Sequence, residues 1–148
     1  MPNRAHSTEA STASVIKVLN ELRARELAVI MQYMRHHYIV TGSDGLALAG
    51  EFKETAVTEM KHAESLAERI DFLGGDPTTK PDAIRTGDST LAAMAEADLA
   101  AENDAVMLYN DAIATVGALG DVTTRRLLED ILADEEEHVG TFRRMLGR

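Results

Sequence analysis

The chain has no cysteine and no tryptophan, only 3 prolines, and an aromatic content of 4%. Without cysteine it forms neither disulfides nor thiolate metal sites, so any metal must be bound through oxygen and nitrogen ligands. No uninterrupted apolar run approaches the roughly 20 residues that a membrane-spanning helix needs. The opening MPNRAHSTEAST contains no apolar stretch, so we expect no secretory signal and a cytoplasmic protein.

Positive charge is also scarce, because 15 lysines and arginines face 25 aspartates and glutamates and leave a net charge of −10. Such a surface repels phosphate backbones, which disfavours nucleic acid as a partner, and it attracts cations. The 148 residues are enough for one domain with its own core. We expect one domain over residues 1–148, with residues 1–10 as a flexible tail.

Helix-forming residues are abundant, with alanine, leucine and glutamate prominent. Apolar residues at helical spacing predict helices over about Ser11–Val40, Gly45–Leu73, Ser89–Ala118 and Asp121–Leu146. In this prediction Ser89 caps the third helix and Asp121 caps the fourth.

The connection between the second and third helices, GGDPTTKPDAIRTGDS, is rich in glycine, proline and short polar residues. Its residues 74–88 could stretch to roughly 50 Å, and a helix of about 28 residues is about 42 Å long. The other two connections are short, so the helices that they join are antiparallel. We therefore predict an all-α, four-helix bundle with one long crossover between helices two and three.

Two sets of glutamate and histidine residues recur at a fixed offset of 76 residues (102−26, 135−59, 138−62). The sets are Glu26, Glu59 and His62, followed by Glu102, Glu135 and His138. Tyr33 and Tyr109 keep the same offset (109−33). The midpoint of each glutamate pair, 42.5 and 118.5, falls in a predicted turn, so both pairs lie at one height in their antiparallel hairpins.

Each set contains a Glu-x-x-His spacing, which places both side chains on one face of a helix. Four carboxylates in a bundle core would repel one another and lose their hydration, whereas two divalent cations would balance their charge. Such oxygen and imidazole ligands suit iron or manganese, and zinc also fits. One glutamate plus one Glu-x-x-His from each hairpin is the ligand set of ferritin-like di-metal proteins.

The sequence resembles the bacterioferritin branch of the ferritin superfamily from about Val15 to Met145. The similarity is strongest in four segments, which are ELAVIMQY from Glu26, EMKHA from Glu59, DLAAE from Asp98 and DEEEH from Asp134. The resemblance implies that two irons are bound per subunit, one by Glu26 and His62 and one by Glu102 and His138, with Glu59 and Glu135 bridging. It also implies oxidation of Fe(II) by oxygen or hydrogen peroxide at this ferroxidase site, and mineral storage inside a hollow homo-oligomeric cage.

Further roles are implied for single residues. Tyr33 resembles a family tyrosine that donates an electron or hydrogen-bonds a ligand, although two core tyrosines that only satisfy buried glutamates remain an alternative. Asp98 or Asp134 could orient a ligand histidine. Met60 resembles a methionine that ligates haem at a subunit dimer interface, and its alternative is an interface residue that fills a gap. We expect His36 and His37 to lie on the surface.

Two departures from the family pattern leave open the assembly and an iron site on the inner surface, respectively. The chain stops at Arg148, so the short fifth helix of full-length bacterioferritins is not expected, and both 12 and 24 subunits stay possible. Glu54 and Thr58 stand where bacterioferritins often have a histidine and an aspartate facing the cavity.

Other functions remain possible on the sequence alone. A non-storage di-metal oxidoreductase, similar to a rubrerythrin-like peroxidase or a manganese catalase, is one. A haem-binding or metal-buffering assembly with little turnover is another. Protection of DNA by coating is disfavoured by the acidic charge.

Overall fold

A computed structural model describes residues 4–85 and 89–148 of the chain, with the side chains from residue 8 onwards in those ranges. Within them the protein is all-α. The helices are α1 (Arg4–Ile39), α2 (Gly42–Phe72), α3 (Leu91–Ala118) and α4 (Val122–Met145). α1 packs mainly against α2, and α3 mainly against α4, so the bundle consists of two antiparallel hairpins. None of the described helices combines the length and the apolar character needed to cross a membrane.

Three of the helices begin at a different residue from the predicted one. α1 begins at Arg4 rather than near Ser11, so the described part of the expected flexible tail is helical, while residues 1–3 lie outside the described residues. α2 begins at Gly42 rather than Gly45. α3 is capped by Thr90 rather than Ser89, because the Thr90 hydroxyl accepts a hydrogen bond from the backbone N–H of Ala93.

The described residues of the long crossover lie beside α1, and they extend along the bundle as the predicted length allows. Near its start, the side chain of Asn20 donates to the Asp76 carbonyl. Further along, the backbone N–H of Asp82 donates to the carbonyl of Ala24. Close to α3, Thr41 donates to the Ser89 carbonyl. The crossover therefore returns the chain to the end of the bundle where α2 began, and α3 starts there.

Two apolar clusters fill the bundle, one at each end. One contains residues from all four helices and lies near the α3–α4 turn (Leu19, Leu22, Leu66, Ile70, Tyr109, Val116 and Leu128). The other lies towards the α1–α2 turn (Tyr33, Phe52, Met94, Leu99 and Phe142). The polar residues of the repeat are buried between them, so apolar packing at both ends holds the helices around a polar centre.

The α3–α4 turn is tied to the end of α2 through Asp121, the predicted cap. Its carboxylate accepts the backbone N–H of Thr124 at 3.0 Å and a hydrogen bond from Arg69 at 3.0 Å. Burial alone would raise the pKa of Asp121, but the hydrogen bonds from Thr124 and the charge of Arg69 outweigh it and lower the pKa. One side chain thus caps α4 and links both hairpins.

We expect Asp121→Ala to lower the free energy of unfolding by about 1–2 kcal/mol, because an N-cap is lost. Because the folded pKa of Asp121 is lowered, its contribution is present above the unfolded value of about 3.9 and is lost as the pH falls through the folded pKa. Urea unfolding at neutral and acidic pH measures both effects. The exposed Asp130 on the same helix provides the control, and an equal loss in Asp130→Ala would contradict the capping role.

Candidate metal centre

The side chains of the sequence repeat meet at the centre of the bundle. Four of them, Glu26, Glu59, Glu102 and Glu135, have no exposed surface, and we call them the glutamate cluster. His62 and His138 are 4% and 7% exposed and lie beside it. Each helix contributes one glutamate, and α2 and α4 add the histidines one turn later, as the Glu-x-x-His spacing predicts.

These six residues form two overlapping groups whose ligand atoms lie within 4.8 Å of one another. The groups are Glu26, Glu59, His62 and Glu135, and Glu59, Glu102, Glu135 and His138. Both groups contain Glu59 and Glu135. The arrangement therefore offers two adjacent cation positions with two shared carboxylates between them.

Burial dominates the electrostatics of the glutamate cluster. It raises the pKa of Glu59 well above the ordinary value, and the charges of the other three glutamates add to this effect. Burial and the nearby Glu135 also raise the pKa of Glu26 and that of Glu102, which reaches about 7. Proximity and loss of water thus make further negative charge in the cluster unfavourable.

Glu135 behaves in the opposite way. Burial would raise its pKa, but the positive charge of Arg25 and close polar contacts with Glu102 and the two histidines lower it well below the ordinary value. Glu135 is consequently the member of the cluster that is most firmly ionised.

An arginine that the spacing of the repeat does not predict lies inside the cluster. Arg25 Nη1 donates to Glu26 Oε2 at 3.1 Å and to Glu135 Oε2 at 3.3 Å, and it lies 3.8 Å from Glu59 Oε1. Its Nη2 is 3.4 Å from Glu102 Oε2. The helical spacing does indicate that Arg25 faces inward. It is three residues after Leu22 and four before Val29, and both of these are buried core residues. It occupies an inward-facing position of the amphipathic α1.

Both histidines face carboxylates through Nδ1. His62 Nδ1 is 2.8 Å from Glu59 Oε2, and His138 Nδ1 is 3.2 Å from Glu59 Oε1. Burial would lower the pKa of both rings, but their close contacts with the buried glutamates outweigh it and raise the pKa of His62 to about 9 and that of His138 to about 12. A bound cation would take the place of the Nδ1 proton on each ring.

The two histidines differ in the residues that lie behind them, on the side away from the glutamate cluster. His62 Nε2 donates to Asp134 Oδ2 at 2.9 Å, so Asp134 orients a candidate ligand histidine, one of the two possibilities considered above. The repeat places Thr58 at the equivalent position beside His138 (134−76), and Thr58 instead donates to the backbone carbonyl of Glu54. The repeat is thus symmetric in its ligand residues and asymmetric in the groups behind them.

The two repeated tyrosines form hydrogen bonds that connect one hairpin to the other. Tyr33 on α1 donates its hydroxyl proton to Glu102 on α3, and Tyr109 on α3 donates to Glu26 on α1. Burial and the neighbouring glutamate charges raise the pKa of both hydroxyls well above the ordinary value, so both stay protonated donors. Each tyrosine holds the glutamate of the other hairpin.

Asp98 and His36 form a separate buried pair. Asp98 is fully buried, and His36 Nδ1 and Gln32 Nε2 each lie 2.8 Å from its carboxylate oxygens. Asp98 therefore orients His36 and not a candidate ligand histidine. The prediction of a surface His36 is wrong, because position 36 lies one turn after the buried Tyr33 and shares its stripe. His37 is half-buried, with Nδ1 2.7 Å from the Ala49 carbonyl.

Met60 lies outside this centre. Its side chain is 44% exposed on α2, next in sequence to the fully buried Glu59. It therefore faces away from the glutamate cluster, as the turn of about 100° per residue requires.

The residues present fit a pair of divalent cations. Within the described residues, Glu135 Oε1 is buried and accepts no hydrogen bond, although His62 Nδ1 lies 3.0 Å away in poor alignment. Buried acceptors without a donor are rare in folded proteins. Four carboxylates and two imidazoles, with an unsatisfied oxygen in the shared position, form a donor set suited to iron, manganese or zinc.

Comparison with known proteins agrees with this arrangement. Residues 16–148 match the family model described as a ferritin-like domain. A bacterioferritin of Desulfovibrio desulfuricans is 38% identical over 135 residues, which cover 91% of this chain and 75% of the relative. A nutrient stress-induced DNA-binding protein of Synechococcus is 32% identical, with 95% of this chain and 87% of the relative covered.

A solved structure leads to the same family. The structure of the Desulfovibrio desulfuricans bacterioferritin, whose description names a diiron site in different catalytic states, superposes with a TM-score of 0.88 and 37% identity. It covers 93% of this chain and 81% of the solved one. The fold, the repeated glutamates and histidines, and these similarities agree, and the chain belongs to the bacterioferritin family of ferritin-like proteins.

Proposed function

We propose that this protein stores and detoxifies iron in the cytoplasm, by oxidising Fe(II) at the central site and mineralising Fe(III) inside a hollow cage of copies of the chain. The observation that carries the proposal is the pair of overlapping ligand groups buried in one subunit. The diiron site named for the similar Desulfovibrio protein supports iron as the metal. The net charge of −10 favours attraction of ferrous ions.

The ligand roles follow from the overlap of the two groups. We assign Glu26 and His62 to one cation and Glu102 and His138 to the other. Glu59 and Glu135 belong to both groups, so they would hold both cations. Ferrous iron is the substrate, and each ion gives one electron to dioxygen or hydrogen peroxide.

The protein residues supply position and charge. Four carboxylates offset the four positive charges of two ferrous ions, so both ions can share one buried site. Asp134 fixes the ring of His62 and keeps its Nδ1 directed at Glu59. The hydroxyls of Tyr33 and Tyr109 each hold one non-bridging glutamate from the opposite hairpin.

The main alternative is a di-metal oxidoreductase without storage, such as a rubrerythrin-like peroxidase or a manganese catalase. The two functions differ in assembly, because storage needs an enclosed cavity. Native mass measurement of the purified protein separates them, since a cage has 12 or 24 subunits and a dimer would contradict storage.

Binding of DNA has one specific observation in its favour, the name of the Synechococcus relative. The net charge of −10 opposes it, since phosphate contacts need lysine and arginine. We expect no shift of linear DNA in a gel at physiological salt, and a shift would reverse this assignment.

The ligand assignment predicts that the double variant Glu26→Ala, Glu102→Ala loses fast iron oxidation. Partners behind a metal ligand typically contribute about 10–100-fold, so removing two ligands should slow oxidation by at least about 100-fold. Stopped-flow absorbance after mixing with Fe(II) and oxygen measures the rate. The exposed Glu21 and Glu64 lie on α1 and α2, and their double alanine variant is the control. A ligand variant as fast as the wild type would refute the assignment.

The crossed tyrosines predict equal effects of Tyr33→Phe and Tyr109→Phe on this rate, because each change removes one hydrogen bond to a glutamate. We expect rates within about threefold of one another, a difference below about 1 kcal/mol. A tyrosyl radical signal in electron paramagnetic resonance that disappears only in Tyr33→Phe would instead establish Tyr33 as an electron donor.

Haem at a subunit dimer interface remains a proposal that rests on Met60. A thioether suits haem iron, and the 44% exposure of Met60 leaves it accessible to a second subunit. With one Met60 from each of two subunits, we expect half a haem per chain by absorbance titration. Met60→Leu should abolish binding without changing iron oxidation. Equal haem binding by this variant, or none by the wild type, would refute the proposal.

A further inference from the structure

Arg25 occupies the space that the two ligand groups share. Its Nη1 lies 3.3 Å from Glu135 and 3.8 Å from Glu59, the two glutamates that belong to both groups. The same atom is 3.1 Å from Glu26. Among the described lysines and arginines, it alone comes within 4.0 Å of the glutamate cluster.

The ligand set itself does not require this arginine. The repeat relates Arg25 to Ala101 (25+76), so only one hairpin brings a cation to the cluster. Arg25 Nη2 donates to the carbonyl of Ala101 at 3.2 Å, across the bundle. The guanidinium therefore extends from α1 across the centre of the bundle, and a small residue, Ala101, lies opposite it on α3.

Arg25 and bound metal ions would compete for the same glutamates, both because of their charge and because of the space that they occupy. Two divalent cations already offset the four glutamate charges, so a buried guanidinium would add a fifth positive charge in a buried region. A cation bound by both Glu59 and Glu135 would also lie within a few ångströms of Nη1, because that atom lies close to the same two carboxylates.

We propose that Arg25 is a resident counter-cation, which stabilises the glutamate cluster when no metal is bound and must be displaced from it when the metals bind. This inference rests on the metal centre of the proposed function. Its consequence is a trade-off, in which the arginine increases the stability of the metal-free subunit and weakens the affinity of the site for divalent cations.

The test is cobalt(II) binding to the chelator-treated, assembled protein, followed by visible absorbance and equilibrium dialysis under nitrogen. Arg25→Met keeps the length of the side chain and removes its charge. We expect two cobalt ions per chain in both proteins, with a dissociation constant at least about tenfold lower in Arg25→Met. Scanning calorimetry should show a lower melting temperature for the metal-free variant and a larger rise when cobalt is added.

The opposite directions of these two effects exclude a merely structural role, since a packing defect would lower stability and affinity together. Arg23→Met is the matched control, because Arg23 lies on the same helix and donates to the carbonyls of Thr78 and Ala63 rather than to the cluster. Its cobalt affinity should equal that of the wild type. If Arg25→Met does not fold without metal, Arg25→Lys replaces it, with an expected affinity between those of the wild type and the methionine variant.

Cobalt binding by a folded Arg25 variant that is equal to or weaker than that of the wild type overturns the inference. It would mean that the arginine stays in the site and supports the bound metals. The proposed function would then stand if the wild type still oxidises Fe(II). Tighter binding by the variant together with no Fe(II) oxidation by the wild type would refute the function and keep the inference. No cobalt bound by either protein would refute both.

Discussion

Four buried glutamates lie side by side in the centre of the bundle, and their mutual repulsion is the constraint on which the rest of the site depends. An isolated carboxylate is unfavourable in a protein interior unless protons, cations or hydrogen bonds compensate for it. Here the compensation comes from one arginine, two histidines and two tyrosines. The same four charges that would destabilise an ordinary core make this centre suited to multivalent cations.

The fold tolerates this centre because apolar packing surrounds it on both sides. One apolar cluster includes Leu66 and Val116, and the other includes Phe52 and Phe142. These clusters bring the helices together irrespective of the charges between them. The carboxylates are therefore held close by packing energy that they do not themselves provide, which is a form of preorganisation for metal.

Much of the fold and of the site could be predicted from residue spacing. The Glu-x-x-His pairs, the offset of 76 residues and the two short turns already imply that six side chains share one level of the bundle, and the structure brings them together. The length and composition of the crossover implied that it could span the bundle, and its described residues lie beside α1. The helix starts were less accurate, because Thr90 and Ser89 are both competent caps and only the local backbone selects one of them.

The sequence by itself determined the helical class, the pairing of the hairpins and the types of the candidate ligand residues, because these depend on periodicity along single helices. Only the tertiary structure decided which polar groups contact the glutamates from a neighbouring helix. The insertion of Arg25 into the cluster, the crossed bonds of Tyr33 and Tyr109, and the pairing of Asp98 with His36 join residues far apart in the chain or depend on side-chain direction. Such contacts follow from how four helices pack in space, and no spacing along one helix specifies them.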